Sequence, residues 1–120
     1  MPKILVVDDD QDILLVMEAL LKMNGYEVAV TAKGEEAITK ASTFCPQLIL
    51  LDVRLSGSDG REICKSLKAT KSTCNIPVIM VSAHPSGVSD ISAYGADDFI
   101  AKPFDVKFLL GRIQSLVRQN

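Results

Sequence analysis

No long apolar segment occurs in this 120-residue sequence. The longest unbroken run is five residues, Ile13 to Met17, against the roughly 20 that a bilayer span needs, so no membrane insertion is expected. Cysteine is sparse: Cys45, Cys64 and Cys74 stand far apart. An odd number without close pairs reads as buried or surface thiols, and not as a disulfide frame or a zinc site. A reducing, cytoplasmic compartment follows as the expectation. Surplus cationic charge is also missing. The net charge is -2, and nucleic-acid backbones are held mainly by excess Lys and Arg, so no general nucleic-acid surface is expected. Met1-Pro2-Lys3 runs straight into a strand-like segment and leaves no room for a signal peptide. The lone histidine, His84, has no second ligand at helical spacing, which favours a loop residue over a transition-metal ligand. Hydrophobic residues make up 48% of the chain, enough for a core. No linker or low-complexity tract divides it, so residues 1–120 are expected to form one domain.

Short apolar runs alternate with longer periodic stretches. Ile4-Leu5-Val6-Val7 is too short for a helix and rich in β-branched residues. Ile13, Met17, Leu20 and Leu21 then recur on one helical face, and Asn24-Gly25 stops that helix. The pattern repeats, predicting strands over Tyr26–Val30, Leu48–Leu51, Ile76–Val81 and Phe99–Ala101. Helices are predicted over Glu35–Thr43, Asp59–Ala69 and Ser86–Ala93, the last of these short and weak. Asp59 and Glu62 are spaced as a capping box. Asp105 caps a final helix whose inner face is Val106, Leu109, Leu110, Ile113 and Val117. Strand then helix, five times, implies an α/β fold with a five-stranded parallel sheet covered on both faces.

Four strand ends carry the chemistry. The first strand stops at Asp8-Asp9, the third at Asp52, the fourth at Ser82 and the fifth at Lys102. In a parallel sheet these carboxyl ends share one edge, where open α/β folds bind ligands. Three crowded carboxylates repel one another. An all-oxygen ligand set suits Mg²⁺, and with Lys102 one such ion brings the formal charge to zero. A phosphoryl group on Asp52 would arrive where a metal, an ammonium and a hydroxyl can each meet one of its oxygens, which is most of what phosphoryl transfer requires. Singly, each residue has an ordinary role: an aspartate caps a helix, Asp52 sits in a turn, Ser82 follows a strand, Lys102 is solvated. It is the coincidence of four strand ends that points to a site.

In these pieces the chain resembles the receiver domain of two-component response regulators. They are Val6-Val7-Asp8-Asp9-Asp10, Leu50-Leu51-Asp52, Asp59-Gly60, Val81-Ser82-Ala83, Gly95-Ala96-Asp97-Asp98-Phe99 and Lys102-Pro103-Phe104, and together they cover essentially the whole chain. The resemblance implies a flavodoxin-like, doubly wound (βα)5 fold with strand order 2-1-3-4-5. It implies a non-enzymatic signalling switch, with self-catalysed phosphoryl transfer and autodephosphorylation only. Asp52 would accept phosphate from a histidine kinase or a histidine phosphotransfer protein. Asp9 and Asp52 would ligate Mg²⁺ directly with the backbone carbonyl of Arg54, and Asp8 would hold metal-bound water. Lys102 would pair with phosphoryl oxygens. Ser82 would swing inward and Phe99 would move with it, changing the surface around the fourth helix, the fifth strand and the last helix. Arg54 and His84 would tune the phosphoryl lifetime, and Lys102-Pro103 would be a cis peptide. Phosphorylation-dependent dimerisation through the last helix and fifth strand is a further implication, with Asp97, Asp98, Lys107 and Arg112 as pairing charges. Two positions depart from the family pattern: Ser56 stands where a proline is common, and Phe99 lacks the hydroxyl of the commoner tyrosine. A free-standing receiver and one followed by an output domain both fit the sequence.

Three other readings compete. A haloacid-dehalogenase-type phosphatase would use Asp8 and Asp10 with Ser82 and Lys102. Here only Asp105 follows the lysine, Asp12 replaces the usual Thr or Val, and no cap insertion is present. A flavodoxin-like nucleotide binder needs a Gly-, Ser- or Thr-rich cradle after the first strand, where three aspartates stand instead. A degenerate module that signals without phosphate is disfavoured by the intact acid, Ser and Lys set.

Overall fold

Strand β1 (Lys3–Val7) lies inside a five-stranded parallel sheet, hydrogen-bonded to β2 (Glu27–Thr31) on one side and β3 (Leu48–Asp52) on the other. The computed structural model describes residues 1–55, 57–83 and 93–118. Beyond β3 come two-residue strands β4 (Arg54–Leu55) and β5 (Ser58–Asp59), which pair only with each other, and then β6 (Val78–Ser82) and β7 (Asp98–Ala101), which complete the sheet. The sheet order is β2-β1-β3-β6-β7. Leaving aside the small hairpin, that is the 2-1-3-4-5 order of the doubly wound fold expected. The β4–β5 hairpin was not foreseen, because two residues per strand are too few to show any alternation.

Why these strands read as unbroken apolar runs is visible in their packing. Alternate side chains enter two separate cores. Ile4, Val6, Leu48, Leu50, Ile79, Val81 and Ile100 face α1 (Gln11–Met23) and α4 (Val106–Arg118), which bring Leu14, Met17, Leu21, Leu109 and Ile113. Leu5, Val7, Ile49, Leu51, Val78 and Met80 face α2 (Ala37–Phe44) and α3 (Gly60–Ala69), which bring Ala37, Ala41, Cys64 and Leu67. Both faces of the central strands are therefore covered by apolar side chains.

Helix boundaries follow local chemistry. Asp10 caps α1, its carboxylate accepting from the N–H groups of Asp12 at 2.9 Å and Ile13 at 3.3 Å. Gly25, at φ +89, turns the chain past the end of α1 as expected. Asp59 caps α3 through the Arg61 N–H at 2.9 Å, so the helix proper starts one residue later than predicted. Asp105 does the same for α4 through the Lys107 N–H. The predicted second helix begins as a 3-10 turn, Gly34–Glu36, before becoming α-helical.

Two inner faces need correction. In α1 the buried line is Leu14, Met17 and Leu21, an i, i+3, i+7 stripe, with Ile13 and Leu20 half-buried at its margin. In α4, Leu109 and Ile113 are buried, while Val106 is 43% exposed and lines a groove beside Pro103 and Phe104. The predicted helix over residues 86–93 falls almost wholly outside the described residues, as do Ser56 and His84.

Gly60 has a steric role. A Cβ there would lie 2.0 Å from the backbone oxygen of Asp52, and its N–H bonds the Val53 carbonyl at 2.7 Å. Gly111, on the exposed face of α4, would meet nothing within 4 Å. The two glycines therefore predict opposite outcomes in urea unfolding. Gly60→Ala should lose about 1–3 kcal/mol through backbone displacement, and Gly111→Ala should gain about 1 kcal/mol from helix propensity. Equal effects at both positions would contradict the close approach at Gly60.

Candidate functional site

The register of the sheet brings the acids together. Val7 pairs with Leu51, so the next residues along, Asp8 and Asp52, are lateral neighbours at the carboxyl edge. Asp52 is opposite Val81, and Ser82 is opposite Ala101. Asp9 follows in the turn into α1, held there because Asp8 accepts the Asp10 N–H at 3.0 Å. One carboxylate oxygen each from Asp8, Asp9 and Asp52 lies within 4.8 Å of the other two.

Lys102 reaches back over this cluster from the end of β7. Its Nζ donates to Asp52 Oδ2 at 3.0 Å and to Asp8 Oδ2 at 3.2 Å. Its own N–H donates to the Ser82 carbonyl at 2.8 Å, which ties the lysine to the end of β6. The Lys102–Pro103 peptide is cis. Asp52 Oδ1 accepts the Arg54 N–H at 3.2 Å, leaving the carboxylate fixed at both oxygens. These side chains, with Ser82, Ala83 and Arg54, line an open cleft of about 240 Å³. Asp8, Asp52 and Ser82 are buried, whereas Asp9 is exposed at the mouth.

Electrostatics show what the cluster lacks. Burial, and then the charge of Asp52, hold the Asp8 carboxyl above its ordinary value of 3.8, despite the Asp10 N–H and Lys102. For Lys102, burial alone would lower the pKa. The hydrogen bond and charge of Asp52, then those of Asp8, overcome it and raise the value. The lysine stays cationic, yet one cation faces three carboxylates. The raised Asp8 pKa reflects burial first and the neighbouring Asp52 charge second, and the donor set, all hard oxygen, fits a small divalent cation.

Each expected site residue within the described region has a definite place. Asp8, Asp9, Asp52, Ser82, Arg54 and Lys102 converge on the cleft. Phe99 is on the far face of β7, half-buried against the core under α3. Asp10 does not join the cluster's ligand set, being engaged in capping α1. Of the four charges suggested for dimer pairing, Asp97, Asp98 and Arg112 have partners within this chain. Asp97 bonds Lys68 at 2.9 Å and the Val78 N–H at 2.8 Å, and Asp98 pairs with Arg112, all within the chain. Gly60 and Ala83 are site neighbours whose roles the sequence reading did not identify. A glycine directly after a helix cap was the available signal for the first.

Comparison with known proteins gives a consistent set of relatives. A family model described as the response regulator receiver domain matches residues 4–114. The alkaline phosphatase synthesis transcriptional regulatory protein PhoP of Bacillus subtilis is 38% identical over 120 residues, covering 98% of this chain and 49% of PhoP. The chain spans about half the length of the curated relatives it matches. Among solved structures, chemotaxis protein CheY4 of Vibrio cholerae superposes with a TM-score of 0.89 at 30% identity, covering 97% of this chain and 98% of CheY4. The receiver domain of sensor histidine kinase PA1611 from Pseudomonas aeruginosa superposes at 0.88 and 30% identity, covering 97% of each chain. That structure has a magnesium ion coordinated in its active-site cleft.

The sign of the Asp8 shift predicts a stability effect. A carboxyl whose pKa is higher in the folded chain destabilises the fold once ionised, from the ordinary carboxylate range upward. Without divalent metal at pH 7, Asp8→Asn should unfold at a higher urea concentration than the parent. The gap should close as pH falls toward 3.8, where protonated Asp8 and Asn are alike uncharged. A lower midpoint for the variant at pH 7 would show that the Lys102 pairing outweighs the crowding.

Proposed function

The chain belongs to the family of response regulator receiver domains, whose function is that of a phosphoacceptor switch, and from that premise we propose that Asp52 is the phosphoacceptor. The observation that carries this is the placement of the buried Asp52 carboxylate between the Lys102 ammonium, at 3.0 Å, and the other two acids. The donor is a phosphohistidine on a histidine kinase or histidine phosphotransfer protein. An Asp52 oxygen attacks phosphorus, the O–P bond forms, and the N–P bond to imidazole breaks. Lys102 neutralises charge on the acceptor and remains in reach of the phosphoryl oxygens. Ser82, buried in the wall of the cleft, supplies a hydroxyl to the same group. The transfer, and the hydrolysis in which water takes the phosphoryl group as inorganic phosphate and restores the Asp52 carboxylate, are performed by this chain's own residues, so the domain is a regulator and not a turnover enzyme.

Mg²⁺ is the cofactor that fits. Asp9, Asp52 and the Arg54 carbonyl would hold it directly and Asp8 through water. When bound, the ion would supply positive charge at the phosphoryl oxygens and offset the mutual repulsion of the acids. Arg54 at the mouth, and His84 beyond the described residues, are the positions from which phosphoryl lifetime is tuned. Movement of Ser82 toward the phosphoryl group would draw Phe99 with it and reshape the surface of β7, α4 and the segment between β6 and β7. A homodimer built on that surface would have to exchange the Asp98–Arg112 and Asp97–Lys68 pairs for intermolecular ones. Residues 1–120 act as one receiver domain. No described helix is long and apolar enough to cross a membrane, which agrees with a cytoplasmic site of action. The capping role of Asp10 argues against a phosphatase built on Asp8 and Asp10.

Incubated with Mg²⁺ and acetyl phosphate, the protein should gain one phosphoryl group, about 80 Da, and Asp52→Asn should not. Modification of the variant to the same extent would displace Asp52 as the acceptor. Turnover of a small phosphoester lost at Asp8 but kept at Asp52 would favour the phosphatase reading. Calorimetric titration should show Asp9→Asn binding Mg²⁺ at least ~10-fold more weakly than the parent. Equal affinities would remove Asp9 from the ligand set.

A further inference from the structure

Among the described residues, the buried polar and charged side chains are Asp8, Asp52, Ser82, Thr31 and Thr73. The first three line the acceptor cleft. Thr73 lies between α3 and β6, where its hydroxyl donates to the Leu67 carbonyl at 2.6 Å and closes the turn after the helix. Thr31 is 5% exposed and does not line the cleft. It ends β2 at the carboxyl edge of the sheet, next to the end of β1 that carries the acids. A hydroxyl buried there is costly unless its hydrogen bonds are made.

Those bonds are made, and they reach toward the acids. Thr31 pairs with Val7, and one residue on, the Asp8 N–H donates to the Thr31 carbonyl at 3.2 Å. That bond carries the β1–β2 ladder past the strand and holds the main chain of Asp8, from which Asp9 follows. The Thr31 hydroxyl fixes the chain that leaves this carbonyl. Its Oγ1 accepts the Lys33 N–H and donates to Glu36 Oε1, both at 3.2 Å. The Glu36 N–H returns to the Lys33 carbonyl at 3.1 Å. One side chain thus closes the turn in which the 3-10 segment Gly34–Glu36 begins.

The other side of this turn lies flush against the second flank of the cleft. A Cβ at Gly34 would sit 2.3 Å from Ile63 Cδ1, 3.0 Å from Ser58 Cβ and 3.1 Å from Leu55 Cδ1. Leu55 and Ser58 pair in the β4–β5 hairpin, and Arg54 opens that hairpin opposite Asp59. A single short turn therefore abuts the main chain of Asp8 on one side and the hairpin of Arg54 on the other.

We propose that Thr31 is a positioning residue for the metal-holding acids. Its hydroxyl stiffens the turn between β2 and α2, so the Asp8–Asp9 main chain and the Arg54 hairpin keep the separation that a small divalent cation needs. Mg²⁺ demands near-ideal octahedral geometry, so slack at either flank weakens binding. This role rests on reading the three acids as a Mg²⁺ site. Valine at position 31 would keep the branched shape and remove the hydroxyl, leaving the Lys33 N–H without its acceptor. Serine would keep the hydroxyl.

The test titrates the full chain with Mg²⁺ by calorimetry and measures amide hydrogen exchange of the metal-free protein. Thr31→Val should bind Mg²⁺ about 10-fold more weakly than the parent, and its Asp8 and Lys33 amides should exchange faster. Thr31→Ser should restore parent behaviour in both measurements. Thr73→Val, which also loses a buried hydroxyl bond, should leave the Mg²⁺ affinity and the Asp8 amide unchanged. Parent affinity in Thr31→Val, no recovery in Thr31→Ser, or an equal loss in Thr73→Val would overturn the positioning role while leaving the metal site in place. A parent protein that binds no Mg²⁺ would remove the metal site itself, and the proposal with it.

Discussion

One cation among three carboxylates is the interaction around which this structure is arranged. Lys102 bridges Asp8 and Asp52, and Asp9 completes the acid triangle. Like charges about 4 Å apart repel by roughly 4 kcal/mol at the effective dielectric of a protein surface, and a single ammonium cancels only one of the three. Burial, and after it the charge of Asp52, make the Asp8 carboxyl resist ionisation. Keeping Asp8 and Asp52 buried side by side is costly for the fold. The cluster's all-oxygen donor set suits a ligand that brings positive charge.

The rest of the architecture serves that cluster by fixing distances. Parallel pairing of β1 with β3 sets Asp8 beside Asp52 without any contribution from loops. The two-sided core holds those strands, since a one-residue slip would send every apolar side chain to the wrong core. Lys102 is held from two directions, by its main-chain bond to Ser82 and by its ammonium bonds to the acids. Gly60 lets α3 start against the backbone of Asp52, so the end of β3 and the start of α3 are packed directly together. On the other side of the sheet, Asp98 joins β7 to α4 through Arg112, and Asp97 joins the approach to β7 to α3 through Lys68. A displacement starting at Ser82 thus has packed and paired routes to both helices.

Much of this was legible in the sequence because strand ends are legible. Unbroken apolar runs that stop at Asp8, Asp52, Ser82 and Lys102 announce a buried parallel sheet and its functional edge in the same letters. Asp59 and Asp105 were visible as caps, and one of Asp8, Asp9 and Asp10 was expected to be, because a cap is local chemistry. What stayed hidden depends on register and on pairing over distance. Nothing in the letters says that Asp97 and Asp98 find partners within their own chain. The exposure of Val106 follows from the groove it shares with Pro103 and Phe104, which periodicity does not describe.

The central claim is that acids from the ends of β1 and β3 converge on one divalent ion beside Lys102 and Ser82. The most direct measurement adds substoichiometric Mn²⁺, an octahedral oxygen-seeking substitute for Mg²⁺, to uniformly ¹⁵N-labelled protein and records the amide spectrum. The account predicts paramagnetic loss of the signals of Asp9, Val53, Arg54, Ala83 and Lys102, reversed by excess Mg²⁺, with Gln47 and Asn75 at the opposite edge unchanged. Broadening spread evenly over the acidic surface, or centred away from Asp52, would contradict it.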